Sequence, residues 1–268
     1  MPPRRVRIIG RTLSGIVTYA PWLWGVMRGP VQGFWNRMAG GWDANESPMR
    51  THSLQEALPA MGDPGRVLEI GSGTGSGAAI LRAALPQAQI AGVDLSPEMV
   101  AQLQKKAGAD MVEVTIGDFT TTRVDGTFKL AYLVLNTITN LTTQDAQVEC
   151  FRNVAAHLEP GGCFVIEVYI PELRRLPPGE TFHAFTVTPT HLGFEEYDVA
   201  TQIAYSHHYW IADGRLETFS APFRYAWPSE LDLMARLAGM NLRERWSSWT
   251  REPFTSESRS HVSVWEKP

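Results

Sequence analysis

Cysteine is nearly absent. Cys150 and Cys163 are the two in 268 residues, and neither stands in C-x-x-C spacing or beside partnered histidines. That argues against a disulfide framework or a thiolate metal site, and both thiols read as buried packing residues of a cytoplasmic protein. A charge excess is also missing. The formal net charge is -4 with no run of five or more like charges, so nothing in the composition pulls the chain toward nucleic acid. No apolar run is long enough for a bilayer. The opening stretch "MPPRRVRIIGRTLSGIVTYAPWLWGVMRGP" is basic and then patchily apolar, but Thr18, Pro21 and Gly25 interrupt it, Arg28 closes it, and no A-x-A site follows. It falls short of the ~20 apolar residues that span a membrane. The expectation is no cleaved leader and no transmembrane span, with an interfacial or lid-forming segment left open. Repeats and low-complexity tracts are absent too. His52, His157, His183, His191 and His261 show no ligand spacing, so no metal is expected.

What is present is ordinary for a globular chain: 44% apolar and 19% charged residues. The length allows one large α/β domain or two small ones. Residues 31–60 read as helix, broken near "AGGWD", with Asp43, Asn45 and Ser47 as restart caps. Strands and helices then alternate. "RVLEIG" is a strand and "SGAAILRAAL" a helix; "AQIAGVDL" is a strand and "SPEMVAQLQKKAG" a helix. "DMVEVTIGDF" and "KLAYLVLN" are strands, "TTQDAQVECFRNVAAHL" a helix and "GCFVIEVYI" a strand. Ser96 before Pro97 is an N-cap with proline at the first helical position. "EPGG" at 159–162 reads as a helix stop and turn. Short continuous apolar strands alternating with helices mean a doubly wound, largely parallel sheet.

The glycine-rich "GSGTGSG" turn between the first strand and its helix lets backbone approach a ligand, and the helix N-terminus adds unpaired N–H groups. Dinucleotides and S-adenosylmethionine both use such a turn. Polar residues also end successive strands: Glu69, Asp94, Asp118 and Asn136. Ligands on these sheets bind beyond the carboxyl ends of the strands, so the four would line one edge. Ser76 stands where the dinucleotide fingerprint wants glycine or alanine.

With these motifs the chain resembles the class I S-adenosylmethionine-dependent methyltransferases of small-molecule type. "VLEIGSGTG" is similar to their first motif, "VDLSPEMV" to the second, "GDF" to the third and "LEPGGCFVIEV" to the fifth strand. The likeness is strongest over residues 34–170, and "FRYAWPSELDLMARLAGM" and "SHVSVWEK" continue it to the end. It implies a Rossmann-like seven-stranded, mostly parallel sheet. An N-terminal helical lead-in or lid would cover residues 1–60, and a methyltransferase domain 61–268. The implied cofactor is S-adenosyl-L-methionine, held by Glu69, Gly71, Ser72, Gly73, Asp94, Leu95, Met99, Asp118, Phe119 and Asn136. In that scheme Asp94 takes the ribose, Met99 and Phe119 flank the adenine, and Asp118 takes its amine. A nicotinamide-dependent oxidoreductase is the rival, opposed by Ser76, the lead-in helices, Asp118 and Asn136. A non-catalytic binding protein is opposed by the largely intact motifs.

The substrate side lies elsewhere. Residues 171–226 are an insertion, with "PELRRLPPGE" a loop and the rest alternating like strands. The dipeptide Asp213–Gly214 signals a hairpin in which 212 faces 215 and His207 faces Ser220. Tyr205, His207, Tyr209, Thr218 and Ser220 then share one face; His208, Trp210, Glu217 and Phe219 share the other. If the first face looks inward, His207 is the candidate proton acceptor and Tyr209 the group that orients the substrate. A structural or dimer-forming hairpin is the competing reading. Trp22, Trp24, Trp35 and Trp42 are core residues or an apolar wall over the substrate. The expected substrate is a small, mainly apolar or aromatic metabolite, methylated at N, O or C. A homo-oligomer through the N-terminal helices or the insertion is left open.

Overall fold

The structure is a computed structural model and describes residues 31–40, 64–106, 112–212 and 214–268. The restart caps at 43, 45 and 47, the aromatics Trp22, Trp24 and Trp42, His52 and Asp213 lie outside the described residues.

A seven-stranded sheet carries the fold. Its strands are β1 (Arg66–Ile70), β2 (Gln89–Asp94), β3 (Val112–Ile116), β4 (Phe128–Leu133), β5 (Leu158–Tyr169), β10 (Asn241–Trp246) and β11 (Ser260–Glu266). Their order is β10-β11-β5-β4-β1-β2-β3. The pairs from β5 to β3 run parallel, and β11 runs antiparallel to both β5 and β10. Consecutive residues of β1 serve opposite faces: Val67 joins one buried cluster with Leu81, Val165 and Val264, and Leu68 joins another with Phe151, Phe164 and Trp265. Both faces are thus covered, which is why the strands read as unbroken apolar runs.

The helices follow their local signals. Among the described residues the lead-in helix is α1 (Val31–Met38), and α2 (Ser76–Ala84) follows the glycine turn. In α3 (Pro97–Leu103) the Ser96 hydroxyl accepts from the Met99 amide at 3.1 Å. In α4 (Gln144–His157) Thr143 caps the Ala146 amide at 3.1 Å. The helix stops just before "EPGG", at His157, as expected, but the turn takes a different form. Those residues loop out within β5, where Phe128 pairs with Leu158 but Leu130 pairs with Cys163. Gly161 supplies the required φ of 78°. The orphan carbonyls at the end of α4 are met by Lys267, whose Nζ donates to Ala155 O at 2.9 Å and Leu158 O at 2.6 Å.

The insertion forms a second, antiparallel sheet in the order β6 (Phe182–Val187), β7 (His191–Asp198), β8 (Ile203–Ala212) and β9 (Arg215–Arg224). Its hairpin register is the one read from the sequence: Ala212 opposes Arg215, and His207 opposes Ser220.

Buried Arg224, at the end of β9, ties this sheet to the first. It donates to Gln147 Oε1 of α4 at 2.6 Å, to Gln202 Oε1 at 3.2 Å and to Glu230 Oε1 of α5 (Pro228–Leu237) at 2.7 Å. Burial opposes ionisation of Glu230, but hydrogen bonds from Gln202, Arg224 and Gln144 win and hold its carboxyl below the usual range. Removing one partner of such a pair leaves the other buried and unmatched. Arg224→Ala is therefore expected to cost about 3–5 kcal/mol, read as a lower midpoint in urea unfolding.

Candidate active site

The carboxyl ends of β1, β2 and β3 meet the turn Gly71–Gly75. Its glycines do different work. Gly71, at φ 74°, has Thr137 Cγ2 where a Cβ would sit, 2.6 Å away, and Gly75, at φ 84°, has Leu103 Cγ at 2.7 Å. These two permit close packing. Gly73, at φ 53°, has nothing within 4 Å of that position, so it is the one that opens onto a cavity. Gly75 also begins α2 without any side-chain cap, which leaves N–H groups facing the same space.

Asp94 ends β2 with 9% of its surface exposed. Its Oδ2 accepts from the Gly73 amide and its Oδ1 from the Ser96 amide, both at 2.8 Å. Burial raises its pKa against these two bonds. A carboxylate has about four lone-pair sites, so both oxygens still have capacity toward a ligand. Glu69 is 3% exposed and lies where Gly77 has no side chain; a Cβ there would sit 2.2 Å from Oε1. Its Oε2 has no partner. Burial pushes its pKa up to about 8, the Ser72 hydroxyl offsets part of this, and the Asp94 charge adds to it. Asp118 is exposed and accepts from the Thr120 amide at 2.8 Å and hydroxyl at 2.7 Å.

A cavity of about 380 Å³ gathers Glu69, Gly71, Ser72, Gly73, Asp94, Leu95, Met99, Asp118 and Phe119. Asn136 is the predicted cofactor residue it leaves out. Asn136 has a left-handed φ of 64°, and its Oδ1 accepts from the Tyr169 amide at 2.8 Å. It turns the chain into the short helix Thr137–Asn140 and lines the neighbouring cavity instead.

That second cavity measures about 790 Å³. It shares Trp35, Ser76, Gly77, Val134, Leu135 and Asn140 with the first, so the two meet along one seam. Trp35, read from the sequence as a core residue or an apolar wall, is fixed there by its Nε1 donating to Asn140 Oδ1 at 2.9 Å. Missed by sequence reasoning were Tyr132, Tyr197, Tyr225, Trp249 and the acids Glu167, Glu172 and Glu195, which also line the larger cavity. They come from separate segments and share no motif. Arg259 Nε lies 3.8 Å from Glu172, and the Tyr197 phenol donates to Glu195.

Of the two hairpin faces left open by the sequence, the one carrying His207 and Tyr209 is not the one that lines the cavity. The cavity takes Ala204 and Ser206 from β8, so His207 and Tyr209 point the opposite way and line neither cavity. His207 stacks on Phe194 with centroids 4.8 Å apart, and Tyr209 stacks on the same ring at 5.9 Å. His207 Nδ1 is 2.7 Å from Ser220 Oγ. Strand alternation defined the two faces correctly, but the docking of the sheet chose between them.

Comparison with known proteins agrees with this geometry. Residues 67–162 match a family model described as a methyltransferase domain. The chain is 30% identical over 208 residues to the cypemycin N-terminal methyltransferase of a Streptomyces species, covering 75% of this chain and 82% of that one. Among solved structures, the CcbJ methyltransferase from Streptomyces caelestis is 30% identical with a TM-score of 0.74, over 83% of this chain and 97% of that one. CalS10 from Micromonospora echinaspora, an amino pentose methyltransferase solved with S-adenosylmethionine bound, has the same fold at 20% identity, with a TM-score of 0.67 over 87% of this chain and 96% of that one. A chain with a glycine-opened strand-end pocket, continuous with a larger aromatic chamber, thus belongs to the class I S-adenosylmethionine-dependent methyltransferases.

Proposed function

We propose that this enzyme methylates an amine nitrogen on a small molecule with an apolar or aromatic body, held in the larger cavity. The observation that carries this reading is the lining of that cavity: Glu167, Glu172 and Glu195 among Trp35, Tyr132, Tyr169, Tyr197, Tyr225 and Trp249. Carboxylates and aromatic faces attract a cation, and the rings suit an apolar frame. Two relatives are named for an N-terminal and an amino pentose methyltransferase, which favours the same acceptor type.

The residues of the smaller cavity fit the cofactor. Gly73 offers a floor without a side chain, and Glu69 Oε2 is a buried oxygen with no partner. Asp94 would hold the ribose hydroxyls, Met99 and Phe119 would flank the adenine, Asp118 would accept from its amine, and Glu69 would face the cationic amino-acid end. When bound, the cofactor supplies a methyl group already activated on a sulfonium. What remains for the chain is orientation, which is worth several kcal/mol when water is excluded and the acceptor is held in line. The seam of Trp35, Ser76, Gly77, Val134, Leu135 and Asn140 is where the two ligands would meet.

Three outcomes check this. Asp94→Ala is expected to weaken S-adenosylhomocysteine binding by about 1–3 kcal/mol in calorimetry; unchanged affinity would remove Asp94 from the ribose. A second check is the pH dependence of that affinity. Free Glu69, with its pKa raised to about 8, holds a proton at neutral pH, and a cationic ligand favours its charged form. Binding then releases a proton, so affinity climbs with pH, at most ~tenfold per unit, and levels off above that pKa. Glu69→Gln should abolish the slope. Third, the S-adenosylhomocysteine-loaded protein should prefer phenethylammonium over 2-phenylethanol by about 1–2 kcal/mol, a preference that Glu195→Gln reduces. Equal binding of the two probes would sink the amine reading.

A further inference from the structure

An N–H or O–H acceptor must shed a proton, and a row of polar side chains leads away from the wall of the larger cavity. Ser206 of β8 is 7% exposed and lines that cavity. Its Oγ lies 3.2 Å from His208 Nε2. His208 Nδ1 lies 3.1 Å from Nε2 of His191, at the start of β7, which is partly exposed. Both ring nitrogens of His208 are therefore engaged, one toward the cavity wall and one toward the sheet's edge.

Strand geometry brings the three together. Ser206 and His208 are two apart on β8 and share a face. Gly193 stands opposite His208, and His191 stands opposite Trp210, which places His191 diagonal to His208 on that same face. The two imidazoles are stacked at 19° with centroids 5.3 Å apart. Phe185, Trp210 and Phe219 pack around His208 with centroids 5.2, 6.2 and 6.2 Å away. The result is a hydrogen-bonded row inside an aromatic sleeve.

We propose that Ser206, His208 and His191 form a proton exit from the acceptor cavity to solvent. It rests on the reading that the larger cavity holds the methyl acceptor. The acceptor's proton passes to Ser206 Oγ as Ser206 hands its own proton to His208 Nε2. His208 releases its Nδ1 proton to His191 Nε2, and His191 gives its Nδ1 proton to water. Each of the three ends with the number of protons it began with, both rings have changed tautomer, and the acceptor keeps a free lone pair. This requires neutral imidazoles, able to accept at one nitrogen and donate at the other. Burial chiefly, and then the charges of His191 and His207, hold the His208 pKa down at about 4, so it is neutral at pH 7. Among the described residues, the other ionisable groups around the row are Glu195 of β7, engaged by Tyr197, with His183 of β6 opposite it, and Glu217 of β9 opposite Trp210. Ser206, His208 and His191 thus act on the acceptor's proton without a dedicated base at the reacting atom.

The test needs no identified substrate. In the full chain loaded with S-adenosylhomocysteine, NMR would follow exchange of the His208 ring proton with water. His191→Phe blocks the exit, and His191→Gln keeps a hydrogen bond without a shuttling ring. The proposal expects slower exchange in both variants, because the ring proton leaves through His191. Were His191 merely a structural cover, its loss would speed exchange, so faster or unchanged exchange in the folded variants overturns the proposal. If phenethylammonium fails to bind while exchange is slowed, the amine reading falls and the proton path stands. If the amine binds and exchange is not slowed, the path alone falls.

Discussion

Two backbone amides converge on the carboxylate of Asp94, and the smaller cavity is organised around that contact. One comes from Gly73 in the glycine turn, the other from Ser96 at the cap of α3. Hydrogen bonds to a charged acceptor are roughly twice as strong as neutral ones. Here they join the ends of β1 and β2 and the start of α3 to one buried group. The pressure is mutual. Glycine at 73 leaves the floor open, and glycine at 77 makes the space that Glu69 fills. Burial raises the pKa of both acids, and the Asp94 charge raises that of Glu69 further, a tension that a cationic ligand would relieve.

The larger cavity depends on a different constraint. Its outer wall belongs to the second sheet, which shares no ladder with the first among the described residues. Arg224 and its partners on α4 and α5 hold the two together, helped by a small apolar cluster of Tyr197, Ala204 and Tyr225. This docking turns Ser206 and His208 toward the inside and His207 and Tyr209 away. The acids of the cavity are gathered the same way: Glu167 from β5, Glu172 from the loop after it and Glu195 from the second sheet.

Helix α1 completes the enclosure. Gln32 Nε2 donates to Leu95 O at 2.8 Å, Asn36 Oδ1 accepts from the Ser96 hydroxyl at 2.6 Å, and Trp35 reaches Asn140. These bonds set one turn of helix against the Leu95–Ser96 side of the smaller cavity and carry the indole to the seam between the cavities.

The sequence by itself determined everything written in local pattern. Alternating apolar runs and caps specified the doubly wound sheet. The glycines and strand-end acids, with the family resemblance that added Leu95 and Met99, pointed to residues that line the smaller cavity, and Asp213–Gly214 set the hairpin register. These are short-range features, where period and turn chemistry leave few alternatives. Only the tertiary structure decided the remainder. A two-residue period says which side chains share a face but not which face is buried; that choice came from contacts such as Arg224 to Gln147, which are 77 positions apart. Asn136 sits at a strand end like its neighbours, yet a left-handed backbone and a bond to the Tyr169 amide put it into the second cavity. The three cavity glutamates carry no shared motif, because packing rather than sequence proximity makes them neighbours.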